Sequence, residues 1–129
     1  HWGEADWRVA LAFAGSSQLG AARAFLGALP WWELEPRIDW VTPHWDAKRK
    51  DLPLAAATGT GLVLIYFPAT RRSFDAVLRN LDAGREHAFS WFDTRSGAVL
   101  EARSFIAEEE WTVPARPSLD DWLLVVELA

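Results

Sequence analysis

Cysteine and methionine are absent from the 129 residues, and lysine occurs only at Lys48 and Lys50. Without cysteine the chain can form neither a disulfide framework nor a thiolate metal site. The other basic residues are scattered arginines and the net charge is −5, so no basic face for a nucleic acid is expected. The longest apolar run, at 61–67, is far too short to span a bilayer. These absences argue against nucleic-acid and membrane partners.

Apolar residues, in contrast, are abundant. Half of the sequence is hydrophobic and nine residues are tryptophan, which suits a packed core and argues against disorder. The length fits one domain, or one small domain with a piece of another. The chain opens at His1 without a methionine or a signal peptide, so we expect a fragment or a processed product. The compartment stays open, with the periplasm or the exterior favoured over the cytoplasm.

Residues 1–36 predict helices. Their composition is rich in alanine, leucine and tryptophan, and one stripe of apolar residues recurs at steps of three and four: Leu19, Ala22, Leu26 and Leu29. Pro30 ends this helix, because the residue before a proline is pushed out of the α region. A shorter helix before it carries Trp7 on its apolar face. Such helices need a partner surface, which is either the rest of this chain or a neighbouring domain.

From residue 37 onward the pattern changes to strands. The continuous apolar run at 61–67 predicts a strand that is buried on both faces. Turn residues separate the other candidate strands, which we expect at 39–41, 53–57, 72–78, 87–93, 98–105, 109–113 and 121–128. Short strands at about ten-residue spacing predict an antiparallel β-sandwich. The sequence therefore divides into a helical segment, 1–36, and a β-sandwich domain, 37–129.

The segment 7–36 is similar to the closing part of the catalytic barrel in apiosidase-like bacterial glycoside hydrolases. A Gln-Leu-Gly start and a Pro-Trp-Trp-x-Leu-x-Pro exit carry this similarity, at Gln18, Leu19, Gly20, Pro30, Trp31, Trp32, Leu34 and Pro36. Ala14 departs from the family pattern, because a Pro-Gly break is common there. The resemblance implies that the helices are the last ones of a (β/α)₈ barrel.

The remaining sequence resembles the small β-domain that follows that barrel and is often labelled collagen-binding. Four segments occur in the order of the family: LVLIYFPAT, SFDAVLRNL, WFDTRSG and DDWLLVVEL. Thr94 departs from the pattern, since the hairpin usually has a proline at this position. The resemblance implies a mainly β fold, an antiparallel β-sandwich preceded by one or two α-helices.

No catalytic site is expected in this chain. In the hydrolases that it resembles, the two catalytic carboxylates lie at the C-terminal ends of barrel strands, which precede the last barrel helix. The acidic clusters at 108–110 and 120–121 fit a solvated loop and a turn, and His1, His44 and His87 lack the spacing of metal ligands. We therefore expect no enzyme activity from this chain alone and no cofactor. The implied partner is the catalytic barrel, in the same or a separate chain.

Sugars stack on exposed aromatic rings, which makes the tryptophans candidates for polysaccharide binding. Trp45, beside the basic loop 46–51, is the ring that we expect to be exposed. The hairpin WFDTRSG adds Trp91, Asp93 and Arg95 as candidate ligand-binding residues. Each residue of that tip also suits a plain turn, in which Gly97 takes the left-handed conformation. A turn is the favoured interpretation of the hairpin.

Trp31, Trp32 and Leu34 follow the helix at the junction of the two segments. Adjacent tryptophans bury a large area, so we expect these three residues to hold the barrel against the β-domain. An accessory domain of this kind should show an apolar patch on residues 7–34. The alternative is a free-standing carbohydrate- or collagen-binding module, which should be monomeric with two or three coplanar exposed tryptophans. A hydrolase would need a carboxylate pair in a cleft.

Overall fold

The computed structural model describes residues 6–129, except for the side chains of Trp7 and Ala10. A short helix and a longer one precede nine strands. The helices are α1 (Trp7–Ala10) and α2 (Ala14–Gly27), and the strands are β1 (Glu35–Pro36), β2 (Val41–Thr42), β3 (Leu54–Ala57), β4 (Val63–Phe67), β5 (Val77–Arg79), β6 (Glu86–Asp93), β7 (Arg103–Ile106), β8 (Glu110–Thr112) and β9 (Trp122–Leu128). The sequence predicts that Trp7 lies on the apolar face of the first helix, but the side chain of Trp7 is outside the described residues.

The strands form two antiparallel sheets. The larger sheet has the order β1-β3-β4-β9-β6-β7 and the smaller one the order β2-β5-β8. Strand β9 lies at the centre of the larger sheet, where its residues pair with β4 on one side and with β6 on the other. The predicted mainly β fold, a sandwich preceded by a helix, is confirmed.

The main core lies between the two sheets. Ile65, Leu124 and Val126 of the larger sheet pack there against Val41 and Leu78 of the smaller one, and all five side chains are fully buried. Alternate residues of β4 point to opposite faces, so Leu64 reaches a second apolar cluster on the outer side of the larger sheet. The prediction of a strand buried on both faces is thus confirmed for most of β4, although Tyr66 is partly exposed.

Helix α2 covers this outer side of the larger sheet. Phe25 and Leu29 pack against a cluster formed by Leu62, Leu64 and Val125. The predicted apolar stripe is wrong in part, because Leu19 is 74% exposed and Leu26 is also exposed. Apolar residues occur almost all around α2, so periodicity alone could not identify the side that meets the sheet.

Some strands are shorter than the sequence indicates. Residues 72–76 and 100–102 form irregular segments before β5 and β7, and Val99 makes only an isolated bridge to Phe92. Strand β1 pairs with β3 within the larger sheet, although it lies on the helical side of the predicted boundary between residues 36 and 37. The end of the helical segment is therefore joined to the sandwich by backbone hydrogen bonds.

Candidate functional site

Large hydrophobic side chains of the helical segment are left exposed by the sandwich. In the described part of this segment they are Val9, Leu11, Phe13, Leu19, Leu26, Trp31 and Trp32, and we call this set the helical face. Large exposed apolar patches on soluble monomers mark sites of association. The helical face is therefore the first candidate functional surface.

The two tryptophans of the helical face stand beside each other after Pro30. A single 3-10 turn over Trp31–Glu33 directs both rings to the solvent, where they are 56% and 67% exposed. Their ring centroids lie 6.2 Å apart in an edge-to-face arrangement. A shallow hollow next to Trp31 is lined by Arg23, Leu26 and Gly27. The local turn thus gives this surface both a protruding aromatic pair and a depression beside it.

Leu34, the third residue expected at a domain interface, takes the opposite direction. It is half-buried and packs on the cluster of Leu62, Leu64 and Val125 beneath α2. Of the three residues, the structure therefore brings Trp31 and Trp32 to the exposed surface and uses Leu34 inside the fold.

The hairpin after β6 is a tight turn with a polar tip. The N–H of Gly97 donates to the carbonyl of Asp93 over 2.8 Å, and Gly97 has a φ of +78°. Burial opposes ionisation of Asp93, but hydrogen bonds from the Arg95 backbone and from Ser96 outweigh it and leave the pKa below its ordinary value. Arg95 also reaches Asp120, with 2.9 Å between its Nη1 and the carboxylate. The predicted turn is present, and its charged side chains bind one another.

Further polar contacts continue from the hairpin across the same end of the sandwich. Thr70 donates its hydroxyl to Asp51 over 3.0 Å, and its backbone N–H donates to the carbonyl of Leu119. The hydrogen bond from Arg49, followed by the one from Thr70, lowers the pKa of Asp51 to about 2. We call this surface, formed by the loops at 45–51 and 117–121 and by the hairpin tip, the polar end. It holds charged and hydroxyl groups that are already paired.

The tryptophans proposed as ligand platforms differ in exposure. Trp45, the first residue of the loop at 45–51, was expected to be exposed but is half-buried, and its backbone N–H donates to the carbonyl of Pro53. Trp91 is only 5% exposed, with its ring 5.4 Å from that of Phe67 and 6.4 Å from that of Trp122. A ring enclosed in this way offers no face to a sugar, so Trp91 belongs to the core. Trp45, Asp93 and Arg95 remain candidates.

Arg116, directly before the loop at 117–121 of the polar end, is a residue that no sequence motif indicated. Its Nη1 donates to the carbonyl of Pro68 over 2.7 Å, and its guanidinium carbon lies 5.8 Å from the ring centroids of both Phe67 and Phe74. Its Nη2 is buried without a hydrogen-bond partner among residues 6–129, and burial lowers the pKa of the guanidinium. Contact of the guanidinium with the two rings offsets part of the cost of burying this unpaired donor. Arg116 therefore joins loops and core.

The acidic clusters accept hydrogen bonds from neighbouring side chains and from the backbone. Glu110 accepts a hydrogen bond from Arg79 at 3.0 Å, while Glu108 and Glu109 are exposed. Asp121 accepts from the backbone N–H of Ala69, and Asp120 from the hydroxyl of Ser118. Over the described residues 6–129, no group of three histidine or acidic side chains could hold a metal ion, and no helix is long and apolar enough to cross a membrane.

Comparison with known proteins relates the chain to one family and to part of larger molecules. Residues 44–127 match the family described as "Putative collagen-binding domain of a collagenase". The structure resembles a glycoside hydrolase family 5 protein from Bacteroides vulgatus ATCC 8482, with a TM-score of 0.72 and 17% identity. It also resembles a second glycoside hydrolase, with a TM-score of 0.67 and 16% identity. No curated protein matches the sequence.

The extent of these two structural matches is informative. They cover 98% of this chain, and therefore the helical segment as well as the sandwich, but only 27% and 28% of the two hydrolase chains. This chain thus spans about a quarter of the length of the proteins that it resembles. At this level of identity the likeness concerns the fold.

Proposed function

Because the chain belongs to the family of collagen-binding domains that its residues 44–127 match, we propose that it is a non-catalytic accessory β-domain. Its partner is the catalytic barrel of a bacterial glycoside hydrolase of the apiosidase-like type, in the same or a separate chain. The domain packs on that barrel through the helical face and stabilises it. Such an enzyme acts on polysaccharides, so we place the domain in the periplasm or outside the cell.

The observation that carries this proposal is the divided use of the helical segment. Phe25 in α2 and Leu29 after it bind the segment to the sandwich, while Leu19, Trp31 and Trp32 are left exposed. Contact of these apolar side chains with water is unfavourable, by roughly 25 cal/mol for each Å² of apolar surface. A barrel that covers the helical face would recover this free energy, which is the physical basis of the proposed stabilisation.

The structural relatives support the same arrangement. In each of them the fold of this chain, helices included, forms only 27% or 28% of a longer glycoside hydrolase chain. A fold that recurs beside additional protein in a hydrolase is expected to share a surface with it. The non-catalytic role is supported by the acidic residues, since Asp120 accepts a hydrogen bond from Ser118, Asp121 from Ala69 and Glu110 from Arg79.

The proposal is tested by the thermal inactivation of the barrel. The barrel encoded with this chain is heated alone, with the chain, and with the double variant Trp31→Lys/Trp32→Lys. We expect the chain to lengthen the half-life of hydrolase activity and the double variant to lack this effect. Equal half-lives in all three samples would show that the domain does not stabilise the barrel.

A free-standing binding module is the second candidate function, and the polar end favours it. Trp45, Asp93 and Arg95 belong to loops at this end, and they could contact a polysaccharide or a collagen chain. Affinity electrophoresis of the chain in gels containing polysaccharide or collagen tests this function. Retardation that Trp45→Ala removes would support a binding module, and equal mobility in all gels would exclude one at this surface.

A further inference from the structure

A cavity of about 550 Å³ lies at the end of the sandwich opposite to the hairpin. Two turns surround it, Thr58–Gly61 between β3 and β4 and Asn80–Arg85 between β5 and β6, together with Trp40 and His87. Its volume is within the range of small-molecule sites in proteins, about 300–1,000 Å³. The residues around this cavity carry imidazole, hydroxyl, amide and charged groups, which can recognise a ligand.

His87 is the more deeply buried of two buried polar residues that line this cavity, the other being Thr58. Its side chain is 1% exposed and its ring stacks on Phe105, with 5.6 Å between centroids. Nδ1 lies 3.0 Å from the carbonyl oxygen of Arg85. Since a carbonyl can only accept, Nδ1 carries the hydrogen, and Nε2 of the neutral ring is an acceptor. Within residues 6–129, Nε2 makes no hydrogen bond. Nε2 is therefore left to accept a hydrogen bond from a ligand hydroxyl that reaches it from the cavity.

Thr58 and Thr60 supply a hydrogen-bond donor to the same cavity. The Thr58 hydroxyl oxygen accepts from the backbone N–H groups of Thr60 and Leu62, at 3.3 and 3.2 Å. Two accepted bonds use both lone pairs, so this hydroxyl must donate its proton to the Thr60 oxygen, 3.0 Å away. The hydroxyl proton of Thr60 is then left to donate to a ligand. The cavity therefore presents one fixed acceptor and one free donor.

The charges at the rim of the cavity oppose each other. Asp82 and Arg85 form an ion pair of 3.6 Å within the turn after β5. A charged ligand would be repelled by one member of this ion pair. A neutral ligand would meet no net charge here. Trp40 supplies an aromatic wall, and Asn80 adds a side-chain amide that can both donate and accept. These groups together suit a neutral molecule with several hydroxyl groups and an apolar face.

We propose that this cavity binds one neutral sugar unit of a saccharide. One sugar hydroxyl donates to Nε2 of His87, and another sugar oxygen accepts the proton of Thr60. Trp40 contacts the apolar face of the ring. A collagen triple helix is a rod of three chains, so it cannot enter a cavity of about 550 Å³. This site is separate from the helical face, and the docking proposal does not depend on it.

The test is a ¹⁵N NMR titration of the 129-residue chain with D-galactose, L-rhamnose, D-xylose and L-arabinose, each added alone. For at least one of them we expect saturable shifts of Nε2 of His87 and of the amides at 58–61 and 80–85. A triple-helical Gly-Pro-Hyp peptide, added in a separate titration, should leave these signals unchanged. A hydroxyl that donates to Nε2 moves its resonance, which a purely structural histidine would not show.

Three variants identify the contacts. His87→Phe keeps a ring against Phe105 and removes the acceptor, and Thr60→Val removes the donor from an exposed position; each should weaken sugar binding about tenfold. Asn80→Gly tolerates the φ of +68° at this position and removes the amide. Thr112→Val, at an exposed site on β8, is the matched control for Thr60→Val and should bind as the native chain does.

Three results would overturn the proposal. One is the absence of saturable shifts around the cavity with all four sugars. Another is binding that Thr60→Val leaves unchanged while the fold is intact. Shifts of the cavity amides with the collagen-like peptide alone would assign the site to a peptide and would equally overturn it. None of these results alters the predicted protection of the barrel from heat.

Discussion

The ring of Phe25 in α2 stacks on the ring of Phe92 in β6, with 4.1 Å between centroids and 21° between planes. This pair joins the helical segment to the larger sheet from the side opposite to the main core, because Phe92 points outward where its neighbour Trp91 points inward. The helix is therefore a third layer of the same fold. A partner that binds the helical face consequently acts on the whole sandwich.

The Phe25 contact should hold α2 in place. Phe25→Ala removes the stacked ring, and we expect the free energy of unfolding to fall by about 2–3 kcal/mol, since the ring is only half-buried. Leu19→Ala is the matched control on the same helix, and its exposed side chain should contribute less than about 0.5 kcal/mol. Urea unfolding measures both. Equal losses in the two variants would show that α2 does not pack on the sheet in solution.

Replacing the glycine of the hairpin tip by alanine should test the contact between this tip and α2. A Cβ at Gly97 would lie 3.1 Å from the Cβ of Ala21, and the φ of +78° is unfavourable for alanine by roughly 1–2 kcal/mol. Gly84→Ala is the control, because its φ of +80° carries the same strain with no heavy atom within 4 Å of the new Cβ. Thermal unfolding should show a larger loss for Gly97→Ala than for Gly84→Ala. A loss no greater at Gly97 would argue against the hairpin–helix contact.

Acid should weaken the polar end in a defined pH range. The pKa of Asp51 is about 2 in the folded chain against an ordinary value of 3.8. Its stabilising contribution is therefore complete above about pH 4 and is lost as the pH falls through 2. The stability of the native chain should decline over this range more than that of Asp51→Asn. The exposed Glu108→Gln removes a charge elsewhere and should leave the decline unchanged; identical profiles for the native chain and Asp51→Asn would contradict the assignment.

A charged residue on the helical face should reduce the self-association of the isolated chain. Trp32→Lys replaces a ring that is 67% exposed, so the free energy of unfolding should change by less than about 0.5 kcal/mol while self-association decreases. Sedimentation velocity at increasing concentration measures the association. The control is Val99→Lys, an exposed apolar position outside the helical face, which should associate as the native chain does. Similar association of all three would contradict a special role for this surface.

Much of the sandwich could be predicted from local patterns. Strands β4, β6 and β9 read as strands because their residues alternate or form apolar runs. The segments at 72–76 and 100–102 read as strands too, but in the described structure each makes only a single backbone hydrogen bond to a neighbour, Ala76 with Val113 and Leu100 with Trp91, rather than a ladder. Pairing is a property of the whole sheet, which local propensity does not contain.

The sites were harder to predict, for physical reasons. Trp91 and His87 are buried because strands that are distant in the sequence enclose them, and the residues next to them do not indicate this. The cavity beside His87 is formed by two turns that are about twenty residues apart in the sequence, so neither turn alone indicates it. Helix α2 was predicted, but its inward side depended on where the larger sheet lies.

The central claim is that the helical face docks on a catalytic barrel, and light scattering coupled to size exclusion tests it most directly. The chain is measured alone, and then with the separately produced barrel encoded with it. We predict self-association of the chain alone and a one-to-one complex with the barrel, which Trp31→Lys/Trp32→Lys abolishes. A chain that stays monomeric and elutes apart from the barrel would contradict the claim.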